Sequence, residues 1–278
     1  MRFSTLLAPL MFGLVSPAGL QAQPATGQST QTVESAGLER SYLLHVPAGY
    51  TGEAIPLVLN LHGSGGVPEN QLATSGFGAL ADREGFAVAF PAGVFANTVS
   101  ERSWNANREP GADDVQFARD LIADVSSRLN IDLARIYVTG FSGGARMSSR
   151  LACELADQLA AAAPVAGLQF PDGCTPSRAI PILAFHGKAD TVNQYEVSAN
   201  SRPYWRMGIE TALERWRAAE RCADDGRVSA VAADIEFRVW PTCADGAEVG
   251  IYVDADAGHV WPENASELIW AFFAQHER

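Results

Sequence analysis

The chain has 278 residues, of which 47% are hydrophobic and 19% charged, a composition that is typical of globular proteins and excludes disordered and fibrous classes. Asp and Glu number 32 against 20 Lys and Arg, so the formal net charge is −12 at pH 7. Because nucleic acids and anionic membranes bind to basic surfaces, neither is expected as a partner.

The first 22 residues have the pattern of a secretory signal peptide. Arg2 is positively charged, residues 6–15 are apolar except for one proline and one glycine, and small residues lead to a cleavage site after Ala22 or, alternatively, after Ala18. An uncleaved N-terminal anchor is the other interpretation. No later segment is apolar over the roughly 18 residues that a membrane span needs, so we expect a soluble, secreted chain, either extracellular or periplasmic.

Residues 23–37 are polar and rich in Gln, Thr and Ser, which predicts a flexible lead-in. The remaining residues, 38–278, show no internal repeat and no break in composition. They are therefore expected to form one domain.

Strands and helices are predicted to alternate along this domain. The predicted strands cover residues 41–46, 56–61, 86–90, 135–139, 160–166, 180–185, 235–240 and 249–253. The predicted helices cover residues 70–84, 113–129, 142–155, 207–219 and 263–275. This alternation predicts an α/β fold with a mostly parallel central sheet and helices on both faces. In such sheets, reactive groups gather beyond the carboxyl ends of the strands.

Residues 91–112 contain Pro, Gly, Asn and Ser with little periodicity, which predicts a long loop of the kind that is often functional. Asp113 and Asp114 follow this loop at the start of an amphipathic helix. We interpret them as helix-capping acids rather than as a second catalytic pair.

Residues 140–144 read Gly-Phe-Ser-Gly-Gly and match the pattern G-x-S-x-G. The motif follows a predicted buried strand and begins a predicted helix, as a nucleophile elbow does. Ser142 is therefore the candidate nucleophile. The alternative is a glycine-rich turn in which Ser142 only caps the helix.

A serine hydroxyl needs a base to accept its proton, and the chain has five histidines. His276 falls in the last predicted helix, His45 in the middle of a strand, and His62 and His186 at strand ends. His259 lies in a loop after the last predicted strand, from which it can reach the elbow. It is the candidate base, with a surface histidine of no special role as the alternative.

The base needs a carboxylate that fixes its tautomer and stabilises the imidazolium. Asp190 follows a predicted strand that ends at the same edge of the sheet as the strand before Ser142. It is the candidate acid. Asp254 and Asp256 compete with it, but they lie so close to His259 in sequence that we interpret them as solvated loop acids. The chain order Ser142, Asp190, His259 is the order of an α/β-hydrolase triad.

Acyl transfer by such a triad also needs N–H donors for the negatively charged oxygen of the tetrahedral intermediate. The backbone N–H of Gly143, directly after the nucleophile, is one candidate. Residues 62–66 (His-Gly-Ser-Gly-Gly) resemble the glycine turn that follows an early strand in esterases, and the N–H of Ser64 is the second candidate.

Four cysteines allow three pairings, and an oxidising compartment favours disulfides. The nearest neighbours in sequence are Cys153 with Cys174 and Cys222 with Cys243. No C-x-x-C cluster with nearby histidines occurs, so no metal site is expected.

In combination, these motifs resemble the secreted esterases grouped with polyhydroxybutyrate depolymerases and bacterial feruloyl and acetylxylan esterases, within the α/β-hydrolase superfamily. The similarity covers about residues 38–275 and rests on the segments RSYLLHVP, PLVLNLHGSGG, DDVQFARDLIADV, YVTGFSGGARMS, APVAG, ILAFHGKAD and GHVWP. The resemblance implies that Ser142, Asp190 and His259 are nucleophile, acid and base. It also implies the disulfides Cys153–Cys174 and Cys222–Cys243.

About thirteen residues join the strands predicted over residues 160–166 and 180–185, which leaves no room there for a large lid. An open cleft suits esters carried by a polymer or by its fragments. Trp104 in the long loop and Trp261 beside the base could form an aromatic wall for substrate, with core packing as the alternative for both.

The sequence thus predicts a secreted serine carboxylesterase that resembles polyhydroxybutyrate depolymerases and hydrolyses esters of polymers or oligomers. The alternative is a feruloyl or acetylxylan esterase that acts on plant cell-wall polysaccharide. A more distant alternative is a non-catalytic, hydrolase-like protein that binds carbohydrate. We expect a monomer that needs no cofactor or metal and whose partner is the ester substrate.

Overall fold

The computed structural model describes residues 25–94 and 102–278. The predicted signal peptide over residues 1–22 lies outside the described residues. So do residues 95–101 of the predicted long loop.

The described residues contain ten strands and six α-helices. The strands are β1 (Gly27–Ser35), β2 (Leu38–Val46), β3 (Ile55–Leu61), β4 (Ala87–Pro91), β5 (Ile131–Phe141), β6 (Ala161–Val165), β7 (Ile182–Gly187), β8 (Arg227–Ala230), β9 (Ile235–Trp240) and β10 (Val249–Asp254). The helices are α1 (Pro68–Ser75), α2 (Phe77–Glu84), α3 (Asp114–Arg128), α4 (Gly143–Glu154), α5 (Ile209–Ala219) and α6 (Ala265–Phe273).

The strands form one sheet in the order β1-β2-β4-β3-β5-β6-β7-β10-β9-β8. Neighbouring strands pair in parallel from β4 to β10. Pairing is antiparallel at both edges, where β1 and β2 lie on one side and β9 and β8 on the other. The prediction of a mostly parallel sheet is confirmed.

Side chains of the central strands alternate between two apolar layers, one on each face of the sheet. In β3, Leu57 and Leu59 pack in a cluster with residues of α3, α4 and α5, whereas Val58 packs in a second cluster with residues of α2 and α6. Every residue of β3, β4, β6 and β7 is buried. Burial on both faces explains why these strands are nearly continuous apolar runs in the sequence.

Parallel pairing brings the carboxyl ends of β3, β5, β7 and β10 to the same edge of the sheet. The residues that follow these four ends are the glycine turn 62–66, Ser142, Asp190 and His259. The fold therefore gathers the predicted site residues at one edge, as expected for parallel α/β sheets.

Three elements differ from the prediction. Residues 27–35, part of the predicted flexible lead-in, form β1 and pair along their length with β2, so this part of the prediction is wrong. The helix predicted over residues 70–84 is two helices, because Gly76 adopts a left-handed φ of 63° that ends α1 before α2 begins. Strand β8, which is exposed along its length, was not predicted.

Both predicted disulfides are present. Cys153–Cys174 joins the end of α4 to the segment that follows β6, and Cys222–Cys243 joins the segments that follow α5 and β9. These cross-links hold the connections on the α4 and α5 side of the sheet.

Residues 166–181 join β6 to β7 without a helix, so no helical lid is inserted at this point. Among the described helices, none has the length and apolar character that crossing a membrane requires.

Candidate active site

Ser142 lies in a strained turn between β5 and α4. Its backbone has φ 54° and ψ −111°, a combination that costs energy for a residue other than glycine and that clusters at functional sites. The side chain makes no capping hydrogen bond to α4, which argues against the alternative of a simple helix cap. The turn therefore has the backbone of a nucleophile elbow.

Glycines on both sides of Ser142 allow this turn to pack closely. A Cβ atom at Gly144 would collide with the backbone oxygen of Leu61 and lie 2.6 Å from that of His62, and one at Gly140 would lie 2.7 Å from the carbonyl carbon of Gly144. Only residues without a side chain bring α4 this close to the end of β3.

His259 and Asp190 are in direct contact. His259 Nδ1 lies 2.7 Å from Asp190 Oδ2, and the aspartate side chain has no exposed surface while 17% of the histidine side chain is exposed. An ionised carboxylate only accepts hydrogen bonds, so Nδ1 is the donor, and in the neutral imidazole Nε2 then carries the lone pair. This is the tautomer that a general base needs.

Backbone donors complete the environment of Asp190. Its Oδ1 accepts hydrogen bonds from the N–H groups of Val192 at 2.8 Å and Asn193 at 2.9 Å. Burial opposes ionisation, but the hydrogen bonds from His259 and from these N–H groups outweigh it and hold the pKa of Asp190 below its ordinary value. The carboxylate is therefore ionised at neutral pH.

The loop that carries His259 is fixed from two sides. Asp254 accepts hydrogen bonds from the N–H groups of Asp256 and Ala257, both at 2.9 Å, and the N–H of Ala189 donates to Ala257 O at 3.1 Å. Asp254 and Asp256 were the other candidates for the acid beside His259. Asp254 instead holds the loop through these hydrogen bonds, and Asp256 is exposed.

The imidazole of His259 lies beside the elbow. Its ring centroid is 4.8 Å from that of Phe141, the residue directly before Ser142. In the described part of the chain, no hydrogen bond joins Ser142 Oγ to His259 Nε2. Catalytic hydrogen bonds are often long in ligand-free enzymes and shorten when substrate binds.

The two predicted oxyanion donors lie next to each other. A Cβ atom at Gly143 would collide with Ser64 Oγ and lie 2.9 Å from Ser64 N. Neither backbone N–H donates a hydrogen bond within the described residues, and the N–H of Gly143 is one of the unpaired donors at the start of α4. Both groups are therefore free to bind a substrate oxygen.

The remaining histidines have structural partners. His62 Nε2 accepts from the N–H of Gly93 at 3.0 Å, and its Nδ1 donates to Gly63 O at 2.7 Å. Burial lowers the pKa of His62, so the ring is neutral and orders the glycine turn. Two more lie away from the elbow: His45 contacts Asp82, and His276 contacts Glu248.

His186 and Asn193 position the candidate acid Asp190, and no sequence pattern indicates this role for either residue. His186 is buried, donates from Nε2 to Asn193 O at 2.8 Å and lies 3.5 Å from Asp190 Oδ2; burial lowers its pKa. Asn193 has no exposed surface and donates from Nδ2 to Ala166 O at 2.7 Å, at the end of β6. Asn193 thus ties the turn of Asp190 to the strand beside the elbow.

An open cleft of about 680 Å³ adjoins the glycine turn. Trp104 lines it but is only 4% exposed, and its Nε1 donates to His62 O at 2.7 Å. Trp261 does not line this cleft; its ring packs edge-on against Phe77 and its Nε1 donates to Ser266 Oγ at 3.1 Å. Trp261 therefore packs against other side chains, as the alternative interpretation expects. Trp104 is also mostly buried, and only a small part of its surface faces the cleft.

The two acids at the start of α3, Asp113 at its N-cap and Asp114 as its first residue, differ in role. Asp113 caps the helix by accepting from the N–H of Gln116 at 2.9 Å, as predicted. Asp114 is buried, pairs with Arg40 at 2.8 Å and accepts from the N–H of Asn105 at 2.7 Å. Asp114 therefore anchors the loop that carries Trp104.

Solved structures with the same fold include an acetyl xylan esterase from Aspergillus awamori, with a TM-score of 0.64 and 16% identity over 88% of this chain and 99% of that one. An S-formylglutathione hydrolase from Agrobacterium tumefaciens has a TM-score of 0.61 and 13% identity over 92% and 98% of the two chains. At these identities the likeness shows the fold alone, and it confirms the predicted α/β-hydrolase fold.

Sequence comparison identifies closer relatives. The chain is 32% identical to feruloyl esterase B of Piromyces equi over 85% of its own length and 45% of that protein. It is 30% identical to the bifunctional acetylxylan esterase/xylanase XynS20E of Neocallimastix patriciarum over 86% and 34% of the two chains. It is also 33% identical to poly(3-hydroxyalkanoate) depolymerase C of Paucimonas lemoignei over 44% of this chain and 30% of that one. The chain thus spans half or less of the length of these three relatives.

The sequence profile of the family described as esterase PHB depolymerase matches residues 40–223, which include both the elbow and Asp190. The resemblance found in the sequence motifs is therefore confirmed. The chain belongs to the esterase PHB depolymerase family, a family of carboxylic ester hydrolases with the α/β-hydrolase fold.

Proposed function

We propose that the chain is a secreted serine carboxylesterase that works through an acyl-enzyme, with Ser142 as nucleophile, His259 as base and Asp190 as acid. The contact of 2.7 Å between His259 Nδ1 and Asp190 Oδ2, at the sheet edge that carries the strained Ser142, is the observation that supports this function best. Each residue has a defined part in the reaction.

In acylation, Ser142 Oγ attacks the ester carbonyl carbon while Nε2 of His259 accepts the hydroxyl proton. The resulting imidazolium is stabilised by the buried carboxylate of Asp190. His259 then donates the same proton to the leaving alcohol oxygen, and the carbon–oxygen bond of the ester breaks. The acid part of the substrate remains bonded to Ser142.

In deacylation, a water molecule attacks the acyl carbon and gives one proton to His259. The tetrahedral intermediate collapses, Ser142 Oγ recovers the proton, and the carboxylic acid leaves. Both tetrahedral intermediates carry a negative oxygen, for which the N–H groups of Ser64 and Gly143 are the donors. Acyl transfer of this kind needs no metal or cofactor.

We propose esters of polymers or their oligomers, including hydroxyalkanoates, as substrates. The open cleft and the short connection between β6 and β7 support this, since a chain-like substrate needs an accessible site. Plant cell-wall esters are the second candidate. The match with feruloyl esterase B, which extends over 85% of the chain against 44% for the depolymerase relative, favours them.

Secretion is supported by the pattern of residues 1–22 and by two disulfides, which persist in oxidising compartments. Export is tested by following the chain in the medium and the periplasm with and without residues 1–22.

The catalytic proposal is tested by treating the protein with phenylmethylsulfonyl fluoride and mapping the modified peptide. We expect labelling of Ser142 in step with loss of 4-nitrophenyl acetate hydrolysis. Labelling elsewhere, or full activity after labelling, contradicts the proposal. Parallel turnover of methyl ferulate, acetylated xylan and hydroxybutyrate oligomers then separates the substrate classes.

A further inference from the structure

Arg146 lies in the first turn of α4, close to the proposed oxyanion donors. Its backbone N–H donates to Ser142 O at 3.1 Å, and its Nη2 is 3.4 Å from Ser64 Oγ. The residue is only 8% exposed, yet it lines the cleft beside the glycine turn. A buried positive charge thus faces the space that substrate would occupy.

Arg146 differs from the other two buried arginines of the described residues. Arg40 pairs with Asp114 at 2.8 Å and Arg150 pairs with Glu154 at 2.9 Å. Within residues 25–94 and 102–278, no carboxylate pairs with Arg146, and its Nε has no hydrogen-bond partner. Burying a charge without a counterion is costly, so such a group is expected to have a ligand.

The guanidinium is held in a fixed orientation. Its central carbon lies 4.2 Å from the ring centroid of Tyr204, which also lines the cleft. Stacking occupies the face of the guanidinium and leaves its in-plane N–H groups available. Those groups match the two oxygens of a carboxylate.

The surroundings strengthen the positive charge. Arg102 and Arg206 line the same cleft, whereas Glu109 is the one acidic residue among the described lining residues. Arg206 has a partial partner in Asp172, at 3.2 Å on the exposed surface. This positive cleft occurs in a chain whose formal net charge is −12, so overall composition does not account for it.

We propose that Arg146 is a specificity residue that binds a carboxylate of the substrate, so that the preferred esters carry a negative charge on their acyl or alcohol part. This inference rests on the proposed esterase function and narrows its substrate class to acidic esters. Arg102 and Arg206 add long-range attraction for the same group.

Matched pairs of esters test the proposal. The 4-nitrophenyl ester of succinate with a free carboxylate is compared with its methyl-capped form, which places the charge on the acyl side. The pair 4-acetoxybenzoate and methyl 4-acetoxybenzoate places it on the alcohol side. We expect the wild-type chain to prefer the charged member of at least one pair, measured as kcat/KM.

The variant Arg146→Gln keeps a polar side chain but removes the charge. We expect the ratio of kcat/KM for charged over neutral ester to fall about tenfold or more, mainly through KM, because a charge-assisted hydrogen bond is lost. Arg83→Gln is the matched control, since Arg83 is exposed on α2, and its ratio should not change. If Arg146→Gln lowers kcat/KM equally for the charged and the neutral ester of a pair, Arg146 acts on the oxyanion instead, and the proposal is overturned. An unchanged ratio would overturn it as well.

A binding measurement separates this inference from the proposed function. Calorimetry with Ser142→Ala compares monomethyl succinate, dimethyl succinate and inorganic phosphate as ligands, and repeats the titrations with Arg146→Gln added. We expect monomethyl succinate to bind best and to lose its advantage in the double variant. If the wild type hydrolyses no ester, the proposed function fails while this binding still reports on Arg146. Turnover without any charge preference, or phosphate binding as tight as that of the carboxylate, overturns the inference alone.

Discussion

His259 Nδ1 lies 2.7 Å from Asp190 Oδ2 although 69 positions separate the two residues in the sequence. The contact arises because β7 and β10 are parallel neighbours whose last residues, Gly187 and Asp254, are in register. Each side chain is carried by the loop after one of these strands. The sheet therefore sets the relative position of the proposed acid and base.

We expect Asp190→Asn to lower kcat about 10³- to 10⁴-fold with little change in KM, because an amide cannot stabilise the imidazolium or hold the same tautomer. The amide oxygen can still accept the hydrogen bonds from Val192 and Asn193, so the turn should persist. Steady-state kinetics on 4-nitrophenyl acetate provide the measurement. Asp256→Asn changes an exposed acid in the histidine loop and serves as the control. Equal activity of the two variants would contradict the role of Asp190.

Gly143→Ala should lower kcat about 10²- to 10³-fold, the range seen when one oxyanion donor is lost. The new Cβ would lie 2.9 Å from Ser64 N and collide with Ser64 Oγ, so one of the two donors must move. Gly49→Ala is the matched control, because an added Cβ there meets nothing within 4 Å. If Gly143→Ala keeps wild-type kcat, the two N–H groups are not the donors.

Glu220 predicts a pH dependence of stability. It has no exposed surface, and its Oε2 accepts from the N–H of Ile180 at 2.8 Å. Burial raises its pKa from 4.5 to about 7. The folded chain thus holds this proton more tightly than the unfolded chain, and the stabilisation is complete below pH 4.5 and is lost as pH rises through 7.

Glu220→Gln stays neutral and keeps an acceptor for Ile180. Relative to the wild type, we expect its free energy of unfolding to increase by up to about 3 kcal/mol between pH 5 and pH 8. Urea unfolding at both pH values measures this, with Glu214→Gln, an exposed change in α5, as control. If the difference in the free energy of unfolding between Glu220→Gln and the wild type is the same at both pH values, the raised pKa of Glu220 is contradicted.

The disulfides should contribute stability rather than catalysis. Each closes a loop with a sequence separation of 21, so replacing either pair by alanines should lower the free energy of unfolding by about 3 kcal/mol. Urea midpoints of Cys153→Ala/Cys174→Ala and Cys222→Ala/Cys243→Ala measure the effect. Unchanged midpoints in both double variants would show that the cross-links are dispensable.

The central strands could be predicted because burial on both faces makes them apolar throughout, as in β3. β1 could not, because its side chains alternate between half-buried and exposed positions and its sequence is polar. Its stability comes from pairing with β2, which local composition does not reveal. The break at Gly76 was also missed, since a glycine inside a helical pattern does not show whether its φ is positive.

The candidate triad residues could be placed from the sequence because each follows a strand that ends at the same sheet edge. Asn193 and Arg146 could not be assigned roles in this way. Asn193 acts through a hydrogen bond to Ala166, and Arg146 is distinguished by the absence of a carboxylate partner within the described residues. Both properties depend on packing between segments that are distant in sequence.

The rate of ester hydrolysis by Ser142→Ala tests the central claim most directly. With 4-nitrophenyl acetate, kcat/KM should fall by at least about 10⁴-fold, since no other group can replace the attacking oxygen. The protein should remain folded, with an unchanged far-ultraviolet circular dichroism spectrum. Activity within tenfold of the wild type would contradict the claim that Ser142 forms the acyl-enzyme.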